Sequence, residues 1–242
     1  MNELSIIVIC HSRVDILTNF IDSLSKYLMS NPGDIEIIIV TNENQNSLSS
    51  VSKYVKERYP WLKFRMLQKK GSSNPIGAMI RFGIAFSTSK YVVLISPYGE
   101  DDISIINNML TLIRKGSQLV QVTRYSNQSD SGSVELIFRL YQTVYQTLAW
   151  LFLGLQSSDF TYGYKMFDRV FVQSVGLTQN TCAISPEVTI KTLLANGKIE
   201  YLPSAVKPSI IGGKFKLYKD GPGYLWLIVR GLMHRAGLIN WF

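Results

Sequence analysis

The sequence predicts an α/β protein whose mainly parallel sheet is flanked by helices. Short, continuous apolar runs alternate with segments in which apolar residues recur at helical spacing, and this alternation fills the first half of the 242 residues. A strand that is covered on both faces is apolar throughout, whereas a helix is apolar along one stripe. Repeated strand–helix–strand units favour parallel pairing, because each helix returns the chain to the edge where the previous strand began.

The elements of the first half follow from these patterns in chain order. Residues 4–10 (LSIIVIC) are apolar except for Ser5 and predict a buried first strand. Residues 16–28 show helical spacing of apolar side chains, and the Asn-Pro-Gly at 31–33 ends the helix. By the same criteria, further strands are predicted at residues 35–40, 63–67, 91–95 and 119–123, and further helices at residues 51–59, 75–87 and 103–115.

The second half departs from this alternation. Residues 126–133 (SNQSDSGS) are polar and predict a loop. Residues 134–155 predict a long helix with aromatic and aliphatic side chains on more than one face, and a second loop is predicted at 159–165. A helix at 186–195 and a short strand at 199–202 follow.

Composition narrows the class of partner. The formal net charge of +8 indicates anionic partners, which include nucleic acid, an acidic membrane surface and phosphorylated substrates. The sequence contains no helix-turn-helix or RNA-binding motif, so we expect no nucleic acid partner. Two cysteines and two histidines offer neither a zinc-site spacing nor a basis for a Ser-His-Asp triad.

The N-terminal sequence and the apolar stretches bear on localisation. MNELSIIVICHSR lacks the basic region and the small-residue cleavage site of a signal peptide. The longest apolar stretches, at residues 147–155 and 224–229, are shorter than the roughly 20 residues that a membrane span needs. We therefore expect a cytoplasmic protein, either soluble or peripheral at the membrane.

The order of several motifs resembles glycosyltransferase family 2, in particular the dolichyl-phosphate mannose synthase and polyprenyl-phosphate glycosyltransferase type. The family's base-binding first strand and turn are matched by LSIIVICHSR in this sequence. The family's second strand and its turn are matched by IEIIIVTNEN. The glycine-bearing helix and the metal-site strand resemble GSSNPIGAMIRFGIAFSTSKYVVLIS. The later family motifs resemble LVQVTRY, SSDFTYGYKMF, ISPEVTIKTLLANGKIEYLP and GKFKL, in that order.

The resemblance implies a fold and an activity. Residues 1–204, including the helix at 134–155, would form a GT-A nucleotide-diphospho-sugar transferase domain. Residues 205–242 would form a basic, aromatic segment with amphipathic helices that faces the acceptor or the membrane. The implied reaction is inverting transfer of a sugar from a nucleotide-diphosphate donor to a polyprenyl phosphate. Two alternatives stay open, namely transfer to a saccharide or protein hydroxyl, and a catalytically silent relative that acts as a binding or partner subunit.

The same resemblance implies a set of partners. They are the nucleotide-sugar donor, a polyprenyl-phosphate or other glycan acceptor, and an anionic membrane surface. Aromatic and cationic side chains in residues 134–155 and 224–242 suit the headgroup zone of a bilayer. The same segments also suit ordinary packing or a contact with a second copy of the chain or a membrane subunit.

Ligands of parallel α/β sheets bind beyond the carboxyl ends of the strands, and the acidic cluster of this sequence lies at such an end. The metal-binding Asp-x-Asp of the family falls at residues 96–98, which read Ser-Pro-Tyr. Glu100, Asp101 and Asp102 follow, and we hypothesise that they bind a divalent cation, Mg²⁺ or Mn²⁺. One alternative is that Asp101 or Asp102 caps the helix that begins at residue 103. Another is a metal-independent site in which basic side chains neutralise the leaving group.

The remaining candidates are assigned from the resemblance and from side-chain chemistry. The predicted nucleotide-binding residues are Cys10, His11, Arg13, Thr41, Asn42, Gly77, Ser96 and Tyr98. The predicted phosphate-binding residues are Arg124, Lys214 and Lys216, since guanidinium and ammonium groups bind phosphate. For Arg13, Arg124 and Lys214 the alternative is a solvated surface charge. For His11, Thr41 and Asn42 the alternative is turn chemistry.

Asp159 and Glu187 are the candidate catalytic residues. A hydroxyl acceptor requires a general base, which either carboxylate could supply. A phosphate acceptor is already largely ionised at neutral pH, and it requires only alignment and stabilisation of the leaving diphosphate. In the alternative interpretation, Asp159 orders the loop around Gly163 and Glu187 caps its helix.

Overall fold

The computed structural model describes residues 2–10, 14–31, 33–42, 45–70, 76–124, 136–204 and 217–242. Its strands are β1 (Leu4–Cys10), β2 (Ile35–Thr41), β3 (Lys63–Gln68), β4 (Tyr91–Ile95), β5 (Leu119–Thr123), β6 (Lys165–Asp168) and β7 (Ile199–Pro203). Within the described ranges they form one sheet in the order β3-β2-β1-β4-β6-β5-β7. Neighbouring strands are parallel except at β6, which runs antiparallel to β4 and β5. The predicted α/β class with a mainly parallel sheet is confirmed.

Helices cover both faces of this sheet. They are α1 (Leu17–Ser30), α2 (Gln45–Arg58), α3 (Ile76–Phe86), α4 (Ile106–Arg114), α5 (Leu136–Leu153), α6 (Arg169–Val175), α7 (Ile184–Leu194) and α8 (Leu217–Arg235). Short 3-10 helices, Val14–Ile16 and Ile103–Ile105, precede α1 and α4. Each helix predicted in the first half is present, with bounds that shift by a few residues.

Strand β6 is an element that the sequence patterns did not reveal. With four residues it is too short to show a period, and the polar sequence before it predicted a loop up to residue 165. It pairs on one side with β4, where Leu94 faces Lys165, and on the other with β5, where Gln121 faces the same lysine. Because β6 is antiparallel, its first residue lies towards the carboxyl ends of its two neighbours, and the loop before β6 reaches the carboxyl edge.

The alternation of β1 divides the core into two layers. Ile6 and Val8 belong to a cluster that includes side chains of α1 and α4. Ile7 and Ile9 point to the opposite face and belong to a cluster with α3, α6 and α7. Every residue of β1 is buried, as expected for a central strand with helices on both sides.

A third apolar cluster joins α5, α7 and α8. Tyr145 of α5 and Tyr224 of α8 pack edge to face, with ring centroids 5.7 Å apart. Helix α7 is buried over most of its length, including the charged residues Glu187 and Lys191. The outer faces of α5 and α8 expose apolar side chains, among them Trp150 and Trp226. Within the described part of the chain, no helix has the length and apolarity that a membrane crossing requires.

A polar network closes the amino end of the sheet. Glu36 at the start of β2 accepts hydrogen bonds from Ser5 Oγ (2.5 Å), Arg65 Nη2 (2.6 Å), Thr88 N (2.8 Å) and Ser89 Oγ (3.1 Å). Burial raises the pKa of Glu36, but these donors outweigh burial and lower the pKa to about 2. The carboxylate therefore ties together the starts of β1, β2 and β3 and the turn that leads into β4.

Candidate functional site

Parallel strands carry polar residues to the carboxyl edge of the sheet. Cys10 ends β1 and Thr41 ends β2, and the two residues are paired directly in the ladder. Ser96 follows β4 and Arg124 follows β5. Lys165 begins the antiparallel β6 at the same edge. Residues that are far apart in the sequence therefore meet where ligands bind in sheets of this kind.

The turn after β4 folds back on itself. Ser96 N donates to Asp101 Oδ2 (2.7 Å), and Tyr98 N donates to Ser96 Oγ (3.3 Å). Gly99 has a φ of +88°, a conformation that L side chains rarely adopt. The Tyr98 hydroxyl lies 4.0 Å from Cys10 Sγ, so this turn reaches the end of β1. Three predicted nucleotide-binding residues, Cys10, Ser96 and Tyr98, are thus neighbours.

The three carboxylates of this turn have different environments. Asp102 accepts from Ser104 N (2.9 Å) and caps the following 3-10 helix, which is the capping alternative described above. Asp101 is engaged by Ser96 N. Glu100 Oε2 is buried and has no hydrogen-bond partner among the described residues. No group of three or more His, Cys, Asp or Glu suited to a metal ion is found in the described ranges.

Asp101 also accepts a hydrogen bond from the Tyr162 hydroxyl, with an oxygen–oxygen distance of 2.5 Å. Burial raises the pKa of Asp101 to about 7, against the opposing effect of the donors Tyr162 and Ser96. Burial and the nearby Asp101 raise the pKa of Tyr162. This bond links the turn after β4 to the loop before β6.

Arg124 and Asp159 form a bidentate ion pair at the same edge. Arg124 Nε lies 2.7 Å from Asp159 Oδ2, and Arg124 Nη2 lies 2.9 Å from Asp159 Oδ1. Arg124 Nη2 also donates to Thr161 Oγ1 (2.6 Å) and Gln142 Oε1 (3.1 Å). Burial raises the pKa of Asp159, but the attraction and hydrogen bonds of Arg124 and the Thr161 N–H outweigh it, so the pKa is lowered.

Asp159 also organises the loop that follows it. Its Oδ1 accepts from Thr161 N (3.0 Å) and Tyr162 N (3.2 Å), which corresponds to the loop-ordering alternative. The Arg124 guanidinium lies over the Tyr162 ring, 4.9 Å from its centroid. Contacts therefore run from Asp159 to Arg124, from Arg124 to Tyr162 and from Tyr162 to Asp101. We call these four residues the carboxyl-edge cluster.

The end of β2 supplies two further predicted residues. Thr41 is fully buried, and its carbonyl accepts from Lys69 N (2.8 Å). Asn42 Oδ1 is buried without a hydrogen-bond partner in the part of the chain that is described. Asn42 directly follows β2 and Glu100 lies in the turn after β4, and these two strands flank β1 in the sheet.

Gly77 and Glu187 lie in a second region, around residues 176–181. Gly77 N donates to Asn180 O (2.8 Å), and a Cβ at Gly77 would lie 2.5 Å from Gln179 O. Glu187 is fully buried and accepts from Thr178 N (3.0 Å) and Gln179 N (2.9 Å). Glycine is needed at position 77 for close packing of two backbones.

Three side chains near this edge were not among the residues predicted from the sequence, namely Tyr162, Gln142 and Lys165. Lys165 is fully buried and donates to Thr189 Oγ1 (2.6 Å), to Phe160 O (3.2 Å) and to Gln121 Oε1. Burial lowers the pKa of Lys165 to about 7. The available indication was its place in SSDFTYGYKMF, where a lysine precedes an apolar pair after the Asp159 motif.

Four of the predicted site residues lie outside the described residues. They are His11, Arg13, Lys214 and Lys216. Their assignments to nucleotide and phosphate binding stay predictions.

Solved structures share this architecture. Glucosyl-3-phosphoglycerate synthase from Mycobacterium tuberculosis in complex with UDP superposes with a TM-score of 0.66 at 14% identity, covering 99% of this chain and 82% of that chain. The same enzyme with Mn²⁺, UDP and glucosyl-3-phosphoglycerate gives 0.63 at 12% identity, covering 99% and 81%. S. aureus TarS 1–349 gives 0.62 at 12% identity, covering 96% and 65%. At these identities the likeness shows the fold, which is the GT-A fold.

The family itself is shown by sequence. No curated protein sequence matches this chain. The family model described as "Glycosyl transferase family 2" matches residues 5–176, which span β1 to α6 and contain the whole carboxyl-edge cluster. The chain therefore belongs to glycosyl transferase family 2.

Proposed function

We propose that this protein transfers a sugar from a nucleotide-diphosphate donor to a polyprenyl phosphate at a membrane surface. The observation that carries the donor site is that Asn42 Oδ1, after β2, and Glu100 Oε2, in the turn after β4, are buried and have no hydrogen-bond partner among the described residues. Buried polar atoms are nearly always paired, so two such atoms at the ligand-binding edge call for a bound partner. A ribose hydroxyl or base N–H suits the amide oxygen, and a cation suits the carboxylate.

Glu100 is the residue that would bind a divalent cation. Asp101 and Asp102 are engaged by internal donors, so the described residues do not form an all-protein cage. Mg²⁺ and similar ions are commonly held by one or two carboxylates together with phosphate oxygens and water, and Glu100 fits that arrangement. When bound, the cation would neutralise charge on the leaving diphosphate. Because the similar glucosyl-3-phosphoglycerate synthase was solved in complex with Mn²⁺ and UDP, these two ligands are suitable probes.

The environments of the two candidate bases support a phosphate acceptor. Asp159 is neutralised by Arg124, and Glu187 accepts from Thr178 N and Gln179 N. A general base needs a lone pair that faces the acceptor hydroxyl, and groups of the chain already occupy these two carboxylates. A phosphate monoester needs no such base, because it is already largely ionised at neutral pH. Transfer to a hydroxyl is therefore the second candidate.

Arg124 would act on the donor through the carboxyl-edge cluster. Its guanidinium fixes Asp159 and the ring of Tyr162, and the Tyr162 hydroxyl in turn fixes Asp101 beside Ser96. This rigid edge would align the donor, and preorganised alignment is a large part of catalysis in transfer reactions of this kind. The cations Arg13, Lys214 and Lys216 are proposed to complete the phosphate site.

The outer faces of α5 and α8 support the membrane part of the proposal. Residues 140–158 contain no charged side chain, although α5 exposes Leu140, Trp150 and Leu151 to solvent. Helix α8 adds Trp226, which is 52% exposed. Exposed tryptophans on a chain of net charge +8 suit an anionic bilayer better than a second, equally charged copy.

Ligand binding tests the donor site. Unfolding midpoints would be measured with UDP, GDP, CDP and dTDP, each with Mn²⁺ or with a chelator. We expect one nucleotide to raise the midpoint, and the increase to shrink on chelation. Asn42→Ala should weaken the effect, whereas Asn196→Ala, on the turn after α7, should not. Absence of stabilisation by every nucleotide would favour the catalytically silent alternative.

Co-sedimentation and product analysis test the acceptor side. Vesicles containing anionic lipid should sediment the wild-type protein, and Trp226→Glu should release it. Trp61→Glu is the matched control, because Trp61 is similarly exposed (48%) and lies between α2 and β3. Incubation with nucleotide-sugars and a short polyprenyl phosphate should yield a glycosylated lipid by mass spectrometry. Product formed only from a saccharide or peptide would instead support the hydroxyl acceptor.

A further inference from the structure

Helix α7 carries two charged side chains that are fully buried and separated by one helical turn. Glu187 Oε1 and Lys191 Nζ are 3.7 Å apart, and both side chains are almost without exposure to solvent. They lie outside the carboxyl-edge cluster, and the proposed transfer does not use them. Removing an ion pair from water costs free energy of desolvation. The groups that these two side chains bind therefore indicate the role of the pair.

Glu187, the acidic member of the pair, binds the segment that connects α6 and α7. Its carboxylate accepts from the backbone N–H of Thr178 (3.0 Å) and Gln179 (2.9 Å) and from Thr178 Oγ1 (2.7 Å). The lysine contributes at the start of the same connection, where Nζ donates to Val175 O (2.9 Å) and to Gly176 O. The pair therefore fixes the backbone of residues 175–179.

This connection in turn fixes the first turn of α3. Asn180 O accepts from Gly77 N (2.8 Å), and Asn180 Oδ1 accepts from Arg81 Nη2 (2.6 Å). Arg81 Nη1 also donates to Gln179 O. The N–H groups of Gly77 and Ala78, in the first turn of α3, thus donate to the carbonyl of Asn180, which caps them from another part of the chain. Since α3 follows β3 and leads into β4, its first turn lies at the carboxyl edge of the sheet, where the donor site is proposed.

Lys191, the basic member of the pair, also contacts residues 237–242. Lys191 Nζ donates to Trp241 O (2.7 Å) and lies 5.0 Å from the centroid of the Trp241 ring. Arg230 of α8 lies 5.2 Å from the same ring and donates to Thr178 Oγ1 (3.1 Å). Trp241 is buried between two cations, and both cations also bind the connection between α6 and α7.

We infer that Glu187, Lys191 and Trp241 are positioning residues that set the first turn of α3, so that docking of residues 237–242 controls the donor side of the site. Contact runs from Trp241 through Lys191 and Glu187 to residues 178–180, and from there to Gly77. Part of this inference, its effect on donor binding, rests on the proposed function. The mechanical link from Trp241 to α3 does not.

Hydrogen–deuterium exchange tests the mechanical link without any ligand. Trp241→Leu keeps an apolar side chain and removes the ring between the two cations. We expect peptides covering residues 76–82 to exchange about tenfold faster, while peptides from β1 are unchanged. Trp226→Leu, an exposed tryptophan of α8, is the control and should leave residues 76–82 unaltered. Trp241→Phe should restore much of the protection.

Two results would overturn the link. One is unchanged exchange at residues 76–82 in Trp241→Leu despite faster exchange at residues 237–242. The other is a uniform increase that includes β1, since that would indicate general loss of stability. If Trp241→Leu does not fold, Lys191→Met provides the same test, because it retains the aliphatic stem and removes the ammonium group.

Titration with UDP tests the effect on the site. At a temperature far below unfolding, Trp241→Leu and Lys191→Met should raise the Kd for UDP about threefold or more, and Trp226→Leu should not. An unchanged Kd in both variants would overturn the control of donor binding. If the wild-type protein binds GDP, CDP or dTDP instead of UDP, that nucleotide replaces UDP in the titration. If it binds none of the four, the proposed donor site fails, whereas the exchange result still decides whether Trp241 positions α3.

Discussion

The two ends of the sheet both bury carboxylates, and they treat them in opposite ways. At the amino end, Glu36 is surrounded by donors from three other segments and its pKa falls to about 2. At the carboxyl end, burial raises the pKa of Asp101 to about 7, and Glu100 Oε2 and Asn42 Oδ1 lack partners among the described residues. The carboxylate of Glu36 has its hydrogen-bond donors within the chain, whereas Glu100 Oε2 and Asn42 Oδ1 have none among the described residues.

This difference separates residues that stabilise the fold from residues that are available to a ligand. Buried polar groups that are hydrogen-bonded within the chain stabilise the native state and have little capacity left to bind a ligand. Unpartnered buried atoms lower stability and are retained where a ligand completes them. Substitutions at the amino end should therefore change stability alone, and those at Asn42 or Glu100 should change ligand binding.

The carboxyl end also contains a stabilising ion pair, which sharpens the contrast. Asp159→Ala removes the fully buried carboxylate that neutralises the guanidinium of Arg124, so we expect the free energy of unfolding to fall by about 4 kcal/mol. Urea unfolding measures this loss. Glu200→Ala, which breaks an exposed pair with Lys198, should cost about 0.5 kcal/mol. A loss below about 1 kcal/mol for Asp159→Ala would show that the pair is not structural.

Glu36 provides the corresponding test at the amino end. Glu36→Ala leaves Arg65, Ser5 and the Thr88 N–H without their acceptor, and we expect a loss of about 3 kcal/mol. Asp34→Ala is the control, because its pair with Lys63 is exposed and worth under about 1 kcal/mol. Nucleotide affinity at low temperature should stay unchanged in both variants. A weakened affinity in Glu36→Ala would break the proposed separation between the two ends.

The acid sensitivity of stability follows from the same carboxylate. The pKa of Glu36 is about 2 in the folded state and is taken as 4.5 without the fold, so its contribution is fully present above 4.5 and is lost as pH falls towards 2. Between pH 5 and pH 2.5, the wild-type protein should lose stability more steeply than Glu36→Gln. Denaturant midpoints at several pH values measure the two slopes. Equal slopes would mean that other carboxylates account for the acid sensitivity.

Glu100 should have the smallest effect on stability and a distinct effect on binding. Glu100→Gln replaces a buried, unpartnered carboxylate oxygen by an amide, so we expect a change in stability within about 0.5 kcal/mol. The dependence of UDP binding on Mn²⁺ should be reduced or lost. Calorimetric titration with and without Mn²⁺ compares the variant with wild type. Retained metal dependence would place the cation elsewhere.

Prediction from sequence succeeded where the residues that determine an element lie within that element. The run LSIIVIC is apolar on both faces, and that alone makes β1 a buried strand. The cap at Asp102 was a stated alternative because capping depends on residues two or three positions apart. The positions of Ser96 and Arg124 at strand ends were also foreseeable, since each directly follows an apolar run.

Prediction failed where an environment depends on distant segments. The short β6 has no pattern of its own, and it is stabilised by strands on both sides. Its insertion brings Tyr162 to Asp101, 61 residues away in sequence. Glu187 was a catalytic candidate by resemblance, but its burial against residues 178 and 179 is a property of how α7 packs.

The sequence by itself determined the α/β class, the order of the first five strands and the family, because apolar periodicity and motif order are local properties of the chain. Only the tertiary structure decided which charges are neutralised and which remain available. Burial and pairing depend on groups that approach from remote segments, such as Arg124 towards Asp159 and Lys191 towards Trp241. The free energy of a charged side chain is set by those neighbours rather than by its own position in the sequence.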